Sequence, residues 1–247
     1  MMRFPLIVSF ALSTHALRTT PRFVSMSSSS DTSSSITIAT LRKEYSKKGL
    51  DESNMSSNPI DVFKEWFEEA LAAEVLEPNA FCLSTCVHSQ PSARIVLMKG
   101  FDERGIVWFT NYESQKSREL AKNPYAAATF WWGPLERQVR MEGTVERVSD
   151  QESEEYHAIR PRSAQIGAWS SQQSKPIKDR AALEEQEAVS IARFDGVEQI
   201  ERPKHWGGWR LRPSRIEFWK GREARLHDRI VYTRMEDNKW SLQRIQP

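Results

Sequence analysis

Three side chains near the carboxyl end of the chain could bind an anion or a flat ring. Arg225, His227 and Arg229 alternate along residues 225–234, which we predict to be a strand after a turn at Gly221. Alternate residues of a strand share one face. Arginine forms paired hydrogen bonds with phosphate and stacks on planar rings. The pattern indicates either a site for a phosphorylated or aromatic ligand, or a solvated basic strand face.

The composition limits the classes of protein to which the chain can belong. Its 247 residues are 39% hydrophobic and include nine tryptophans, enough for one large domain with a core. The net charge is +2, and residues 1–35, with three arginines and one aspartate, account for all of it. Because residues 36–247 are neutral overall, we expect no nucleic-acid partner. We also expect no membrane span, since no apolar run approaches about 18 residues, and no metal site, since no metal-ligand spacing occurs.

Residues 1–35 differ in composition from the rest of the chain. A short apolar run is followed by Arg18, Arg22 and a serine-rich tract, and no acidic residue precedes Asp31. This composition is typical of an organelle transit peptide, with a secretory or bipartite leader and a disordered tail as alternatives. We expect a leader over residues 1–35, one domain over residues 36–247, and a mitochondrial or plastid location after leader removal, with the cytoplasm as the alternative.

The remaining sequence alternates many strand patterns with few helix patterns. Helices are predicted from Pro59 onward with Asn58 as the cap, near 114–122, from the capping box at Ser149 and Glu152 to about 160, and over 176–194. Strands are predicted near 80–88, 93–99, 105–110, 125–132, 137–148, 207–212, 215–219, 225–234 and 239–245. The expected fold class is mainly β (α+β), a β-barrel with peripheral helices.

Four collinear segments, spread over about residues 40–247, resemble the pyridoxamine 5'-phosphate oxidase family. Each segment alone is weak evidence for the resemblance, whereas four segments in the same order as in the family make a chance match unlikely. They lie at 94–100 (RIVLMKG), at 109–116 (FTNYESQK), at 135–139 with 156–162 and 165–174, and at 206–211 with 216–219 and the motif around Arg225.

The resemblance implies an FMN-binding split barrel that works as a homodimer, with FMN in the subunit interface. It also implies the oxidation of pyridoxine 5'-phosphate or pyridoxamine 5'-phosphate to pyridoxal 5'-phosphate. In that reaction O2 is the electron acceptor and hydrogen peroxide is released, with ammonia from the amine substrate. The expected partners are therefore the small-molecule substrate, O2 and a second copy of the chain.

The family's FMN contacts can be carried over to this sequence position by position. A flavin phosphate attracts cations and hydroxyl donors, and the flavin ring edge attracts amides. Without the resemblance, each glutamine among these residues would be read as an ordinary surface residue. The positions are Arg94, Ile95, Val96, Leu97, Met98, Lys99, Phe109, Thr110, Gln115, Lys116, Gln138, Gln173, Ser174, Trp219 and Arg229.

The substrate phosphate is expected at Lys99, Tyr156 and Arg160 by the same resemblance. Tyr156 and Arg160 are four residues apart on a predicted helix and so share one face, although an ordinary helix-surface pair is the alternative. Arg94 and Lys99 are five residues apart in a predicted strand, so they should face opposite ways and bind different anions.

Arg225 and His227 correspond to the family residues beside the substrate ring. Transfer of a hydride from the substrate C4' to flavin N5 requires the two rings to be aligned. We expect Arg225 to pack over the pyridine ring. We expect His227 to hydrogen-bond the substrate and to assist proton movement.

Two positions depart from the family pattern. Gln115 stands where an arginine is usual, and Ala164 stands where a serine commonly donates to the substrate phosphate, with Ser163 as a possible substitute. Loss of a charged hydrogen bond costs about 1.5–3 kcal/mol, so we expect weaker FMN or substrate binding but not inactivity.

Two other functions remain as alternatives. One is a non-catalytic module that holds FMN or pyridoxal phosphate, and the other is a flavin reductase with a different substrate. A flavin carrier needs no second phosphate clamp, and a reductase should lack the motif from Arg225 to Arg229. Retention of both features argues against both alternatives.

Overall fold

A computed structural model of the chain describes Tyr45 and residues 49–247. The predicted leader and the predicted domain start at residue 36 lie outside the described residues. Over the described part the chain forms nine strands and five α-helices, in agreement with the mainly β class. No helix in this part is long and apolar enough to cross a membrane.

The predicted helices and strands are present in the predicted order, with changed boundaries, with the strand Gly100–Asp102 and the helix Arg162–Ser170 added and with two predicted strands joined in the strand Trp206–Lys220. The helices are α1 (Pro59–Ala72), α2 (Gln115–Lys122), α3 (Asp150–Ala158), α4 (Arg162–Ser170) and α5 (Arg180–Arg193). The strands are β1 (Ala80–Val87), β2 (Gln90–Leu97), β3 (Gly100–Asp102), β4 (Gly105–Asn111), β5 (Tyr125–Trp132), β6 (Arg137–Arg147), β7 (Trp206–Lys220), β8 (Asp228–Arg234) and β9 (Trp240–Arg244).

The strand β7 organises the antiparallel sheet. One edge of β7 pairs with β6, and the other edge pairs first with β4 and then with β8. The sequence pattern predicted two strands here because Pro213 reads as a break. The proline is tolerated within one continuous strand because the β6 register shifts between Glu142 and Gly143. A Cβ atom at Gly143 would lie 2.0 Å from the Arg212 carbonyl oxygen, so the close approach of β6 to β7 at this position requires glycine.

Helix α1 covers the core face of the sheet. The Asn58 side chain accepts a hydrogen bond from the Ile60 N–H at 3.1 Å, and Pro59 occupies the first turn. Phe63 is fully buried, and its ring centroid lies 5.1 Å from that of Phe101 and 5.2 Å from that of Phe130. The aromatic stripe of α1 is therefore part of the core.

The other helices show which helix ends can be predicted from capping residues and which cannot. The capping box of α3 is present, and the helix ends at Ala158, two residues earlier than predicted. Helix α5 begins at Arg180, not Pro176, because the Asp179 side chain caps it by accepting from the Ala182 N–H. Helix α4 was not predicted.

The predicted strand over 225–234 is wrong in its first three residues. Strand β8 begins only at Asp228, and Arg225 ends a 3₁₀ turn with φ of 62°. The β7–β8 ladder starts with the pair Lys220 and Asp228, so residues 221–227 form the hairpin loop. Arg225 and His227 therefore do not share a strand face with Arg229.

Replacement of Phe63 by alanine tests the role of α1 in the core. We expect the free energy of unfolding to fall by about 3–5 kcal/mol, because a fully buried ring would leave a cavity among aromatic neighbours. Urea denaturation of the purified chain measures this change.

Leu71 provides the matched control on the same helix, since 53% of its surface is exposed. Leu71→Ala should change the free energy of unfolding by at most about 0.5 kcal/mol. Equal effects of the two substitutions would mean that α1 does not pack on the sheet as described.

Candidate active site

A cavity of about 580 Å³ opens between strand β2, the end of β4, and helices α2 and α3. This volume lies within the usual range for a cofactor or small-molecule site. The cavity brings together thirteen of the residues predicted to bind FMN or substrate. They are Arg94, Ile95, Val96, Leu97, Lys99, Phe109, Thr110, Gln115, Lys116, Tyr156, Arg160, Gln173 and Ser174.

At one end of the cavity, the ammonium group of Lys116 is buried. It donates hydrogen bonds to Thr110 Oγ1 at 3.1 Å, to Ser114 Oγ at 3.3 Å and to Gln173 Oε1 at 3.3 Å. None of these three partners carries a charge. Burial, together with the nearby Arg94 charge, lowers the pKa of Lys116 to about 8, although Glu119 opposes the shift. A buried cation with only neutral partners suits an anionic ligand.

The Arg94 guanidinium lies at the same end but is already paired. Its Nη2 is 3.0 Å from Glu119 Oε2, and its Nη1 donates to Thr85 Oγ1 at 2.7 Å. Gln115 donates to the other oxygen of Glu119 at 2.8 Å. Glu119 therefore offsets the charge of Arg94, and Gln115 adds no charge of its own. Lys116 is left as the cation without a carboxylate partner among these residues.

At another side of the cavity, a stack of aromatic rings supports an arginine. The Tyr156 and Phe109 rings are stacked with centroids 4.1 Å apart, and Trp206 lies 5.5 Å from Phe109. The Arg160 guanidinium lies 4.5 Å from the centre of the Trp206 ring. Its Nη1 is buried without a hydrogen-bond partner, and burial lowers the pKa of the guanidinium. This unsatisfied donor is suited to an anion in the cavity.

Lys99 lines the same cavity as Arg94, and the successive residues Ile95, Val96 and Leu97 line it as well. The opposite orientation of Arg94 and Lys99 stays a prediction. Strand β2 ends at Leu97, and the Lys99 N–H donates to the Val107 carbonyl oxygen instead of continuing the ladder. The cavity thus receives Lys99, Tyr156 and Arg160 together, as a phosphate clamp requires.

Two predicted residues near the cavity do not line it. The Met98 side chain is 5% exposed and belongs to the core. Ser163 is exposed on α4 and lines neither the main cavity nor the adjoining cavity of about 320 Å³, whereas Ala164 lines the adjoining one. The structure therefore gives no support to Ser163 as the substitute for the missing serine at position 164.

A second group of predicted residues lies away from this cavity, and we call it the hairpin group. It consists of Gln138, Trp219, Arg225, His227 and Arg229. Gln138 pairs with Trp219, and Trp219 pairs with Arg229, so these three form one row across β6, β7 and β8. None of the five lines the cavity in the same subunit.

Two members of the hairpin group are held by specific hydrogen bonds. Arg229 Nε donates to Glu217 Oε1 at 2.8 Å, and Glu217 is 1% exposed. His227 Nδ1 accepts from the Arg222 N–H at 3.1 Å, so the ring proton of the neutral imidazole is on Nε2. Burial, together with the Arg225 charge, lowers the pKa of His227. The imidazole is therefore neutral at pH 7.

The length of β7 separates the two groups. Trp206 lines the cavity at the first residue of the strand, and Trp219 belongs to the hairpin group near its last residue. Thirteen residues of extended strand have a path length of roughly 40 Å, at about 3.3 Å per residue. The two ends of β7 therefore carry separate groups of predicted residues.

Three cavity residues were missed by the sequence analysis. Ser92, Ala93 and Trp206 line the cavity, and Ser92 Oγ accepts from Arg94 Nη2 at 2.7 Å. Ser92 could have been found because it lies two residues before Arg94 on the same strand. Trp206 has no such signal, because its part in the Phe109–Tyr156 stack depends on the packing of three elements.

Two family models match the chain. Residues 67–187 match the model described as pyridoxamine 5'-phosphate oxidase, and residues 206–247 match the model described as the pyridoxine 5'-phosphate oxidase C-terminal dimerisation region. The second match contains Trp219, Arg225, His227 and Arg229 of the hairpin group.

Among solved structures, PhzG from Burkholderia lata in complex with tetrahydrophenazine-1-carboxylic acid is similar, with a TM-score of 0.76 and 30% identity. The match covers 81% of this chain and 99% of that one. An FMN-binding protein from Nostoc punctiforme, related to pyridoxamine 5'-phosphate oxidase, has a TM-score of 0.60 at 18% identity, over 75% of this chain and 97% of that one. The chain thus has the split-barrel fold expected from the resemblance.

Curated relatives match over nearly their whole length. The pyridoxine/pyridoxamine 5'-phosphate oxidase of Herminiimonas arsenicoxydans is 53% identical over 213 residues, which are 86% of this chain and 100% of the relative. The enzyme of the same name from Trichormus variabilis is 51% identical over 212 residues, 85% of this chain and 99% of the relative. The chain therefore belongs to the pyridoxine/pyridoxamine 5'-phosphate oxidase family.

Proposed function

We propose that this chain oxidises pyridoxamine 5'-phosphate or pyridoxine 5'-phosphate to pyridoxal 5'-phosphate with FMN as its cofactor. The observation that carries the proposal is the combination of two anion-binding regions in one cavity, one at Lys116 and one at Lys99, Tyr156 and Arg160. A flavin phosphate and a substrate phosphate require two such regions. The relatives with this activity match over nearly their full length.

The reaction balances with O2 as the oxidant. Pyridoxine 5'-phosphate and O2 give pyridoxal 5'-phosphate and hydrogen peroxide. Pyridoxamine 5'-phosphate also consumes one water, which supplies the aldehyde oxygen, and releases ammonia. FMN, which Lys116 and its neighbours would hold, would supply the hydride acceptor for the substrate C4' and the transfer of two electrons to O2.

The residues at the Lys116 end fit the FMN phosphate. Lys116 supplies a charge, and Thr110 and Ser174 supply hydroxyl groups beside it. Gln173 bridges Lys116 and Thr110 through its Oε1, so its amide nitrogen remains available for the cofactor. The strand from Arg94 to Leu97 forms the adjacent wall.

The residues at the aromatic side fit the substrate phosphate. The Arg160 Nη1 donor has no protein partner, and Tyr156 and Lys99 add a phenol and an ammonium in the same cavity. The stack of Tyr156, Phe109 and Trp206 fixes the direction of these donors. The clamp thus binds the phosphate and orients C4' without taking part in the oxidation.

Arg225 and His227 act on the substrate ring from the hairpin. Arg225 packs over the pyridine ring with its planar guanidinium, and this contact aligns C4' with the flavin. His227 is neutral, with its proton on Nε2, so it donates a hydrogen bond to the substrate. Its Nδ1 is engaged by the Arg222 N–H, which fixes the ring orientation.

The active site is formed between two copies of the chain. The cavity comes from one subunit and the hairpin group comes from its partner, because no residue of the hairpin group lines the cavity of its own subunit. The match of residues 206–247 to a dimerisation region supports this assembly. In a two-fold dimer the same contact occurs twice, so the dimer has two sites.

Residues 1–35 are proposed to be a transit peptide that directs the enzyme to a mitochondrion or plastid. The support is the arginine- and serine-rich composition without an acidic residue before Asp31. The enzyme is proposed to act there after the leader is removed.

The activity is tested with the purified chain reconstituted with FMN. On addition of pyridoxamine 5'-phosphate in air, we expect equal amounts of pyridoxal 5'-phosphate and hydrogen peroxide to form, as followed by absorbance and a coupled peroxidase assay. Bound FMN without either product would instead indicate the non-catalytic module, or a reductase with another substrate.

Gln115→Arg tests the effect of the missing arginine. The new guanidinium should pair with Glu119, so that Glu119 holds Arg94 less tightly. The substitution also adds one positive charge near the FMN phosphate. We expect the FMN dissociation constant to fall by about tenfold, the value of one charged hydrogen bond. Fluorescence titration of the apoprotein measures it, with Gln115→Lys as the charge-only control. An unchanged constant in Gln115→Arg would contradict the electrostatic explanation.

The pKa of Lys116 predicts a pH dependence of FMN binding. The free site holds a protonated Lys116 below pH about 8 and loses that charge above it, whereas a bound phosphate keeps the lysine protonated. The FMN dissociation constant should therefore change little near pH 7, about double by pH 8, and rise by up to about tenfold per pH unit between pH 8 and 9.5. Lys116→Arg, whose charge persists, should show no rise in this range. If the FMN dissociation constant of Lys116→Arg rose by the same factor, Lys116 would be excluded as the cause of the pH dependence.

A further inference from the structure

Helix α3 carries Tyr156 and leads directly into Arg160. Its buried residues are Ser153 and His157, and its one large aromatic side chain, Tyr156, stacks on Phe109 of β4. A helix is usually positioned by an apolar stripe that faces the core, whereas the aromatic contacts of α3 lie near its end. The placement of its first turn must therefore depend on polar contacts.

A buried arginine on β7 provides the most direct of these contacts. Arg210 is 3% exposed, with its Nη1 at 2.6 Å from Asp102 Oδ1 and its Nη2 at 2.9 Å from Glu152 Oε1. The other oxygen of Glu152 accepts from the Ser149 N–H at 3.0 Å and closes the capping box. One carboxylate thus both begins α3 and ties the helix to strands β3 and β7.

Two further contacts hold the same helix close to the start of β7. Arg202 Nη2 lies 2.6 Å from Asp150 Oδ1, and its Nη1 donates to the Trp206 carbonyl oxygen at 2.7 Å. The Gly208 N–H donates to Ser153 Oγ at 3.2 Å. A Cβ atom at position 207 would lie 3.0 Å from that same hydroxyl oxygen, so the glycine permits the close approach.

We propose that Arg210 and Glu152 are positioning residues for the substrate phosphate, acting through helix α3. This inference rests on the proposed function of the cavity. Neither residue lines the cavity, so neither touches the substrate. Together they fix the first turn of α3, and Tyr156 lies one turn further along, with Arg160 beyond it. Loss of the ion pair frees the helix to shift, and the clamp loses its geometry.

The FMN phosphate region does not depend on this pair. Lys116 lies on α2, where it bonds Thr110 of β4 and Gln173 after α4. A change at Arg210 should therefore affect substrate and cofactor differently. This difference separates a positioning role from a general loss of stability.

The test compares Arg210→Gln and Glu152→Gln with the parent enzyme as FMN-loaded dimers. We expect Arg210→Gln to raise the KM for pyridoxamine 5'-phosphate on the order of tenfold, with kcat and the FMN dissociation constant within about twofold. Glu152→Gln should raise KM less, because glutamine at this position preserves the capping box. Arg210→Lys should recover part of the loss, since an ammonium can bind one of the two carboxylates.

The matched control is Arg212→Gln on the same strand. Arg212 is exposed and pairs with Glu146 outside this network, so its loss should leave KM unchanged. In an Arg160→Gln background, Arg210→Gln should have little further effect on KM, because the clamp is already lost. Full additivity of these two changes, or a parallel loss of FMN affinity, kcat and thermal stability in Arg210→Gln, would overturn the proposal.

A binding measurement separates failure of this inference from failure of the proposed function. The dissociation constant of pyridoxal 5'-phosphate is measured by tryptophan fluorescence for the parent and Arg210→Gln. Absence of turnover in the parent would refute the oxidase. Equal pyridoxal 5'-phosphate binding by the two proteins would refute the role of Arg210, whether or not the parent turns over.

Discussion

The structure depends on strand β7, which is long enough to pair with two other strands in succession along one of its edges. Over Trp206–Lys220, β7 pairs with β6 on one edge and with β4 and then β8 on the other. Its first residues adjoin the cavity and α3, and its last residues carry the hairpin group. β7 thus carries the two groups at its opposite ends. In the proposed active site these groups meet across the interface between two copies of the chain.

Charge is distributed so that the cavity favours anions at two places. Arg94 is offset by Glu119, whereas the buried Lys116 and the half-buried Arg160, whose Nη1 is buried, have no carboxylate among the hydrogen-bond partners described for them. Burial of unpaired cations is unfavourable in the empty protein, and a bound phosphate removes that cost. The two cations are held by different parts of the chain, Lys116 by α2 and Arg160 by the segment that follows α3.

The sequence predicted correctly the helix starts that are determined by side chains of neighbouring residues. The Asn58 cap and the Ser149 capping box were correct for this reason. The predicted alternation from Arg225 to Arg229 failed, because a left-handed turn at Ala224 and Arg225 delays the strand. The cavity residues were found through the family resemblance, since no periodicity brings Lys116 and Tyr156 together. Trp206 was missed because its place depends on tertiary packing alone.

The most direct test of the account is a mixed-dimer experiment with Arg160→Gln, which damages the cavity, and Arg225→Gln, which damages the hairpin group. Each variant alone should have little activity at a pyridoxamine 5'-phosphate concentration well below the KM of the Arg160→Gln variant. After unfolding and joint refolding in equal amounts, half of the dimers are mixed and each has one intact site, so about a quarter of the parent activity should return. If the refolded mixture is no more active than the separate variants, the two groups do not meet across the subunit interface and the account is wrong.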